Sequence, residues 1–426
     1  MILTHCTTLL ALSLNLIGTL MRNMADPLTL ELVKSREETD LLFSLISDET
    51  LFDRPLPQRH RLIFYLGHLE AFDWNQVGRY DLGQPQVDTT LDRLFERGID
   101  PEPGQLPQDQ PGDWPSIRET REYVQKVRER LDTIWPNASP ELRQTAIEHR
   151  WMHAETLAYQ LHNLPYEKKR TPTSLRSDSR PTLVNQRFIT IPAGNATLGR
   201  KPNDGFGWDN EFNEFTTTVP AFSISRYKVT NGEFMEFVNQ GAEPPHFWIQ
   251  RDGQWFFRGM FEPSPLRLDA PAYVTWCQAG AYAKFRGAEL PNEEQFHRAA
   301  YGTPEGIERE FPWGSDGEHP EARGNYDFQH WDPVSVSANP GGRSAFSIEQ
   351  LVGNGWEWTR TPFGPFEGFA PRPNYPGYSA DFFDGNHYVI KGASPRTAAL
   401  LTRRSLRNWF RPDYPYVYAT FRLVEN

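Results

Sequence analysis

Ser139-Pro140-Glu141-Leu142-Arg143-Gln144-Thr145-Ala146-Ile147-Glu148-His149-Arg150-Trp151-Met152-His153-Ala154-Glu155 begins like a helix and carries two histidines four residues apart. Ser139 is placed to cap the first turn, Pro140 suits the first helical position, and Glu141 puts an acid at the positive end of the helix dipole. Inside such a helix His149 and His153 lie on one face, one turn apart, where two imidazoles can grip one metal ion. Spacing alone does not decide this, because two hydrogen-bonded helix histidines would show the same pattern.

Working outward, the segment Arg54 to Arg79 shows a helical apolar stripe of Leu62, Tyr65, Leu66, Leu69, Phe72 and Val77. His68 lies near that stripe beside Gly67, which lets another helix approach closely. Taken alone His68 reads as a hydrogen-bonded core histidine, and His60, among arginines, as solvated. Leu28 to Ile46 is a further amphipathic helix, and Trp114-Pro115-Ser116 opens one running to Trp135. Residues 100–115, rich in Pro, Gly, Gln and Asp, are loop. These four helices predict a bundle over residues 24–164, and a bundle interior is a usual place for a metal site built from facing helices. Residues 165–182 are charged and polar and read as a linker. From Leu183 to Asn426 short β-rich runs, such as Phe188–Gly194 and Ala221–Thr230, alternate with Gly, Pro, Asn and Asp turns. The clearest helices there are Ala272–Arg286 and Asn292–Ala300. The whole is a two-domain α+β chain whose second domain has long, aromatic-rich loops of the kind that carry function.

Composition narrows the function. The chain has 426 residues and a formal net charge of -11, which argues against nucleic acid or an anionic membrane surface as partner. Thirteen Trp, 28 Phe and 16 Tyr suit pockets as well as cores. The two cysteines, Cys6 and Cys277, support no disulfide framework and fit a reducing cytoplasm. Leu9 to Met21 is apolar but shorter than the ~20 residues of a membrane span. No basic start or small-residue cleavage site accompanies it. Translation from Met24 is therefore expected, with residues 1–23 an upstream extension; a weak membrane anchor is the rival.

The C-terminal domain resembles the formylglycine-generating, or sulfatase-modifying factor, fold, a C-type-lectin-like α+β domain. The resemblance rests on Ile191-Pro192-Ala193-Gly194, Tyr227-Lys228-Val229-Thr230-Asn231, Glu289-Leu290-Pro291-Asn292, Phe311-Pro312-Trp313-Gly314, Val352-Gly353-Asn354-Gly355-Trp356-Glu357-Trp358-Thr359 and Phe421-Arg422. Copper-dependent members of that fold use two late cysteines, whereas this domain has only Cys277, so formylglycine chemistry is not expected. The N-terminal half resembles the DinB-like four-helix bundle. Together, with His-x3-His-x-Glu in the last bundle helix, the two halves look like the EgtB family of non-haem iron(II) sulfoxide synthases. Those enzymes couple cysteine or γ-glutamylcysteine to a histidine betaine with O2 on the way to ergothioneine.

The resemblance implies Fe(II) on His68, His149 and His153, with O2 as co-substrate and a small thiol and a histidine-derived molecule as partners. Asn374-Tyr375-Pro376-Gly377-Tyr378-Ser379 looks like the family's paired tyrosines, which makes Tyr375 and Tyr378 the catalytic candidates. Tyr375 would deliver a proton at the step separating sulfoxide coupling from thiol dioxygenation; its Tyr-Pro-Gly-Tyr setting also reads as a type II turn. Arg407-Asn408-Trp409 looks like the loop that closes over substrate.

Departures fall in the substrate pocket. Phe95-Glu96-Arg97-Gly98-Ile99-Asp100-Pro101-Glu102 stands where users of γ-glutamylcysteine carry an arginine-rich loop, and only Arg97 remains. Met152 replaces a common glutamine and cannot donate a hydrogen bond. Phe410 and Arg411 stand where an aspartate is common, and Arg404, Arg407 and Arg411 are alternative carboxylate contacts. The rival readings are a related thiol oxygenase with another substrate, a DinB-type metal-dependent thiol transferase, and a non-catalytic binding module.

Overall fold

The computed structural model describes residues 26–98, 106–172, 184–315 and 323–425. These form two compact units that meet in sequence between Ala154 and Glu155. The expected extension at 1–23, residues 99–105 of the acidic loop and residues 173–182 of the expected linker lie outside the described residues.

The first unit is helical: α1 Pro27–Ser44, α2 Leu62–Asp73, α3 Thr89–Arg97, α4 Ile117–Ile134, and the first part of α5, Pro140–Asn163. Asp26 caps α1, accepting from the Leu28 and Thr29 amides. Ser116 and Glu119 form a reciprocal capping box on α4. Four expectations change here. First, the His68 helix fills only part of the Arg54–Arg79 segment, with α2 beginning at Leu62. Pro55 and Pro57 bias their predecessors toward extended backbone, and Arg54 and Arg61 both turn to the buried Asp109 carboxylate. Second, α2 has no single buried stripe: eleven of its twelve residues are buried and only Leu66 is partly exposed, so α2 is a central helix. It continues as a π-helical stretch, Trp74–Asp81. Third, Phe95, Glu96 and Arg97 are not loop but the last turn of α3. His60 is not solvated either; it is half-buried, 4.3 Å from the Phe64 ring and 6.4 Å from that of Trp114.

The second unit runs from Glu155. Its strands are β1 Phe188–Ile191, β2 Gly194–Leu198, β3 Phe215–Val219, β4 Phe222–Ser225, β5 Trp248–Arg251, β6 Gln254–Arg258, β7 Pro263–Pro265, β8 Gly355–Pro362, β9 Tyr388–Ala393, β10 Asn408–Phe410, β11 Ala419–Thr420 and β12 Val424–Glu425. They pair as β1-β4-β12, β10-β9-β8-β11, β2-β3 and β5-β6-β7. All pairs are antiparallel except β11 with β8. Three helices, α6 Asn231–Asn239, α7 Trp276–Phe285 and α8 Glu293–Tyr301, each open on a capping box, at Thr230, Thr275 and Asn292. The Thr275 cap is why α7 starts four residues after the expected Ala272. Ile191, Leu198, Val219, Phe222, Ile224, Phe296 and Ile348 lie in one core cluster. Two buried acids organise the remainder. Glu357 takes Lys228 at 2.8 Å and Arg422 at 2.6 Å, and Glu293 takes Arg407 at 3.1 Å and Lys391 at 3.7 Å. No helix among the described residues is long and apolar enough to cross a membrane.

Candidate metal centre

Helix α2 brings His68, and α5 brings His149 and His153, to one point in the first unit. One ligand atom from each lies within 4.8 Å of the others. Ring centroids are 5.1 Å apart for His68–His149, 4.9 Å for His68–His153 and 4.4 Å for His149–His153. Metal–nitrogen bonds of ~2 Å place ligand atoms about 3 Å apart, so modest side-chain movement closes the three around one ion.

The surroundings leave the imidazoles neutral and oriented, as metal ligands must be. His68 Nδ1 lies 2.7 Å from the Phe95 carbonyl. A carbonyl only accepts, so Nδ1 donates and Nε2 keeps its lone pair. Phe95 also packs on Gly67, where a Cβ would sit 2.4 Å from its ring. The close approach expected of Gly67 is therefore made by α3, the helix not foreseen. Its signal was present: Asp88 caps it, and Leu91, Leu94 and Phe95 have helical spacing. Phe72 stacks on His149 at 3.4 Å and Phe64 on His68 at 4.6 Å. Burial holds the His68 pKa down at about 4. Burial, then the neighbouring imidazoles, hold His149 and His153 well below the usual value, with Arg150 adding to both. All three are neutral at pH 7. His153 Nδ1 is buried with no hydrogen-bond partner, as an atom awaiting an ion would be. An all-imidazole set suits iron, zinc, copper or nickel rather than magnesium or calcium.

Glu155, the last residue of the His-x3-His-x-Glu motif, belongs to the second unit. Its buried carboxylate accepts from Trp356 Nε1 at 2.7 Å, Ser394 Oγ at 2.6 Å and Thr397 Oγ1 at 2.8 Å.

Also in the second unit, Tyr375 and Tyr378 stand 5.7 Å apart across a turn closed by the Tyr378 amide donating to the Tyr375 carbonyl at 3.2 Å. Gly377 does not adopt positive φ, so this is not the type II turn expected. Tyr378 stacks on Trp208 at 4.1 Å and meets Trp409 edge-on at 5.5 Å; Trp409 stacks on Phe363 at 4.1 Å. The two tyrosines and Trp409 thus share one aromatic cluster. Trp208 and Asp209 were not foreseen, as no periodicity or motif marks them. Burial and then Asp209 raise the Tyr375 pKa.

Asn408, Trp409 and Phe410 are not a closing loop but the edge strand β10, paired with β9 through Asn408↔Ile390 and Phe410↔Tyr388. Phe410 stacks on Tyr414 at 5.5 Å. Arg407 is buried on Glu293 with its guanidinium 4.1 Å over Phe366, so it serves the core and not a substrate carboxylate. Arg404 lies 3.5 Å from Glu308, and Arg411, largely exposed, 3.9 Å from Asp384. Met152 is half-buried on α5.

Residues 31–162 match the DinB superfamily, and residues 174–426 match the sulfatase-modifying factor enzyme 1-like domain. A hercynine oxygenase of Mycolicibacterium smegmatis is 32% identical over 72% of this chain and 77% of its own length. The chain belongs to the EgtB-like family. A hercynine oxygenase of Mycobacterium tuberculosis is 35% identical over 51% of this chain and 55% of its own length. The ergothioneine biosynthesis protein 1 of Neurospora crassa is 25% identical over 90% of this chain and 56% of its own length. The chain spans little more than half the length of these last two EgtB-like relatives.

Proposed function

We propose that the protein is an iron(II)- and O2-dependent oxidoreductase that couples a small thiol to a histidine betaine of the hercynine type as a sulfoxide, in ergothioneine biosynthesis. The observation that carries this reading is the convergence of three neutral imidazoles, the buried His68 and His149 and the half-buried His153, in a chain related to hercynine oxygenases. Iron held there would supply redox chemistry and open positions for a thiolate and O2. The chain's own residues do the rest. Phe64 and Phe72 keep the imidazoles dry and oriented. Tyr375, whose burial keeps its hydroxyl protonated, is the proton donor, with Tyr378 beside it. Asn408, Trp409, Phe410, Arg404, Arg411 and Met152 are the substrate-contact candidates. A free, exposed Cys277 accords with a cytoplasmic setting.

The test is to load the protein with Fe(II) without air, add cysteine and hercynine, admit O2, and identify products by mass. A cysteinyl–hercynine sulfoxide is expected. Bound iron without thiol-dependent O2 uptake overturns the reading. Zinc retained in place of iron favours a thiol transferase, which the same three imidazoles would also suit.

A further inference from the structure

Three imidazoles from two helices make one metal centre only if the helices keep register. A slip of one residue moves a ligand by about 1.5 Å along the axis and about 100° around it. Metal–ligand distances tolerate only ~0.2 Å. Apolar surfaces can repack and slide, whereas buried polar groups that must find their partners specify one register.

The first unit carries such a device beside the histidines. Arg150, next in sequence to His149, is fully buried. It donates Nη1 to Glu70 Oε1 at 3.0 Å and Nη2 to Asp73 Oδ2 at 2.5 Å, with Nη2 also 2.9 Å from Glu70 Oε2. Glu70 and Asp73 are buried too and stand three residues apart on α2, starting two residues after His68. Glu70 is itself fixed from α4 by Arg128 Nε at 2.8 Å, and Arg128 reaches Asp40 on α1 at 2.7 Å. One ionic chain therefore joins α1, α4, α2 and α5. A second tie lies further along: Asp81, ending the π-helical stretch after α2, accepts from the Ser139 amide at 2.6 Å at the start of α5. The contacts His68 with His149 and His153, Glu70 and Asp73 with Arg150, and Asp81 with Ser139 run in opposite order along the two helices. The pair is antiparallel and pinned at two places outside the metal centre.

We propose that Arg150 is a positioning residue for the three-histidine centre: gripping Glu70 and Asp73 with one planar guanidinium, it sets the register of α5 against α2. This rests on the metal-binding reading above. Lysine cannot reproduce the grip, because an ammonium has no planar fork to span two carboxylates.

Arg150→Lys and the near-isosteric Asp73→Asn are compared with the full-length wild type by anaerobic Fe(II) titration and by the ligand-field absorption of the Co(II)-loaded protein. Asp109→Asn is the control. It loses buried bonds to Arg54, Arg61 and Trp114, none of which bonds to Arg150, Glu70 or Asp73. Both register variants should weaken Fe(II) binding about tenfold, the low end for residues that orient metal ligands, and shift the Co(II) spectrum. Asp109→Asn should lower the melting temperature with Kd and spectrum unchanged. If Arg150→Lys does not fold, Asp73→Asn decides. Wild-type Kd and spectrum in the register variants overturn the inference, as does equal weakening in Asp109→Asn. A wild type that binds neither Fe(II) nor Co(II) overturns the metal reading and the inference together.

Discussion

Helix α5 carries histidines in its middle and at its C-terminal end, and the two places behave differently. His149 and His153 lie in the first unit, His162 in the second, and burial lowers the pKa of all three. His162 is fully engaged: the Tyr418 hydroxyl donates to Nδ1 at 3.0 Å, and Nε2 donates to the Arg258 carbonyl at 2.5 Å. His153 leaves Nδ1 without a partner, 4.9 Å ring to ring from His68 on another helix. Burial and a depressed pKa therefore do not mark a ligand. What makes His153 a candidate is an unsatisfied nitrogen beside an imidazole from a second helix.

The sharpest way to break this comparison is to truncate each kind. His153→Ala or His149→Ala should leave a folded protein that retains less than about a tenth of an equivalent of iron after desalting, read by metal analysis. Full retention in both would remove the centre. His162→Ala should retain iron, yet lose about 2–4 kcal/mol of stability, since it strands the Tyr418 hydroxyl and the Arg258 carbonyl in the core.

The same histidine predicts a pH dependence. In the folded chain His162 titrates at about 3, against an ordinary 6.5. Between those values the unfolded chain holds a proton that the folded chain lacks. Stability from this group is full above pH 6.5 and falls as pH drops through the window, by up to about 1.4 kcal/mol per pH unit. His162→Gln should flatten the slope by up to one proton, measured by urea unfolding from pH 7 to 4. An unchanged slope would mean that the imidazole charges freely and is not the locked core group described.

How much was legible in the sequence follows the same division. The His149–His153 pair and the Ser139 cap are local, within one helix turn or cap, and periodicity exposes them. The third histidine needed a family resemblance, because nothing within α2 says that His68 faces α5 rather than the core. The Phe95 carbonyl that orients His68 was hidden because α3 is one short helix beside loop-like sequence. In the second unit Tyr375 and Tyr378 were visible as a motif. Their setting was not: Trp208, Asp209 and Phe363 come from distant parts of the chain, and only the folded sheet gathers them. The strand at Asn408–Phe410 is not legible as one, because three residues carry no alternation to count.

Two glycines sharpen the contrast between a position fixed by packing and one in an open turn. Gly67→Ala drives a methyl into the Phe95 ring, and overpacking of that kind costs about 1–3 kcal/mol. By moving Phe95 it should also weaken iron binding. Gly377→Ala meets only the tip of Asp381 at 3.2 Å, and its φ is ordinary. It should stay within about 0.5 kcal/mol of wild type. Melting temperatures of the two variants check both; equal losses would show that the Tyr375–Tyr378 turn is as tightly specified as the helix contact.

The smallest expected effect on the fold, and the most specific on chemistry, belongs to Tyr375. Tyr375→Phe removes one hydroxyl and little volume, and the half-buried ring keeps its neighbour Tyr378 at 5.7 Å. Folding and iron content should match wild type. If the Tyr375 hydroxyl supplies a proton when coupling competes with dioxygenation of the thiol, its loss changes how a common precursor divides. Coupled sulfoxide should fall and the sulfinic acid of the thiol should rise. The product ratio is the proper measurement, because it compares two exits from one state and cancels errors in active-site concentration. A tenfold change in that ratio corresponds to about 1.4 kcal/mol between the two barriers, within what one positioned proton donor supplies. A ratio that does not move would leave Tyr375 as the residue that closes its turn. Tyr378, stacked on Trp208 and edge-on to Trp409, would then be the hydroxyl to remove next.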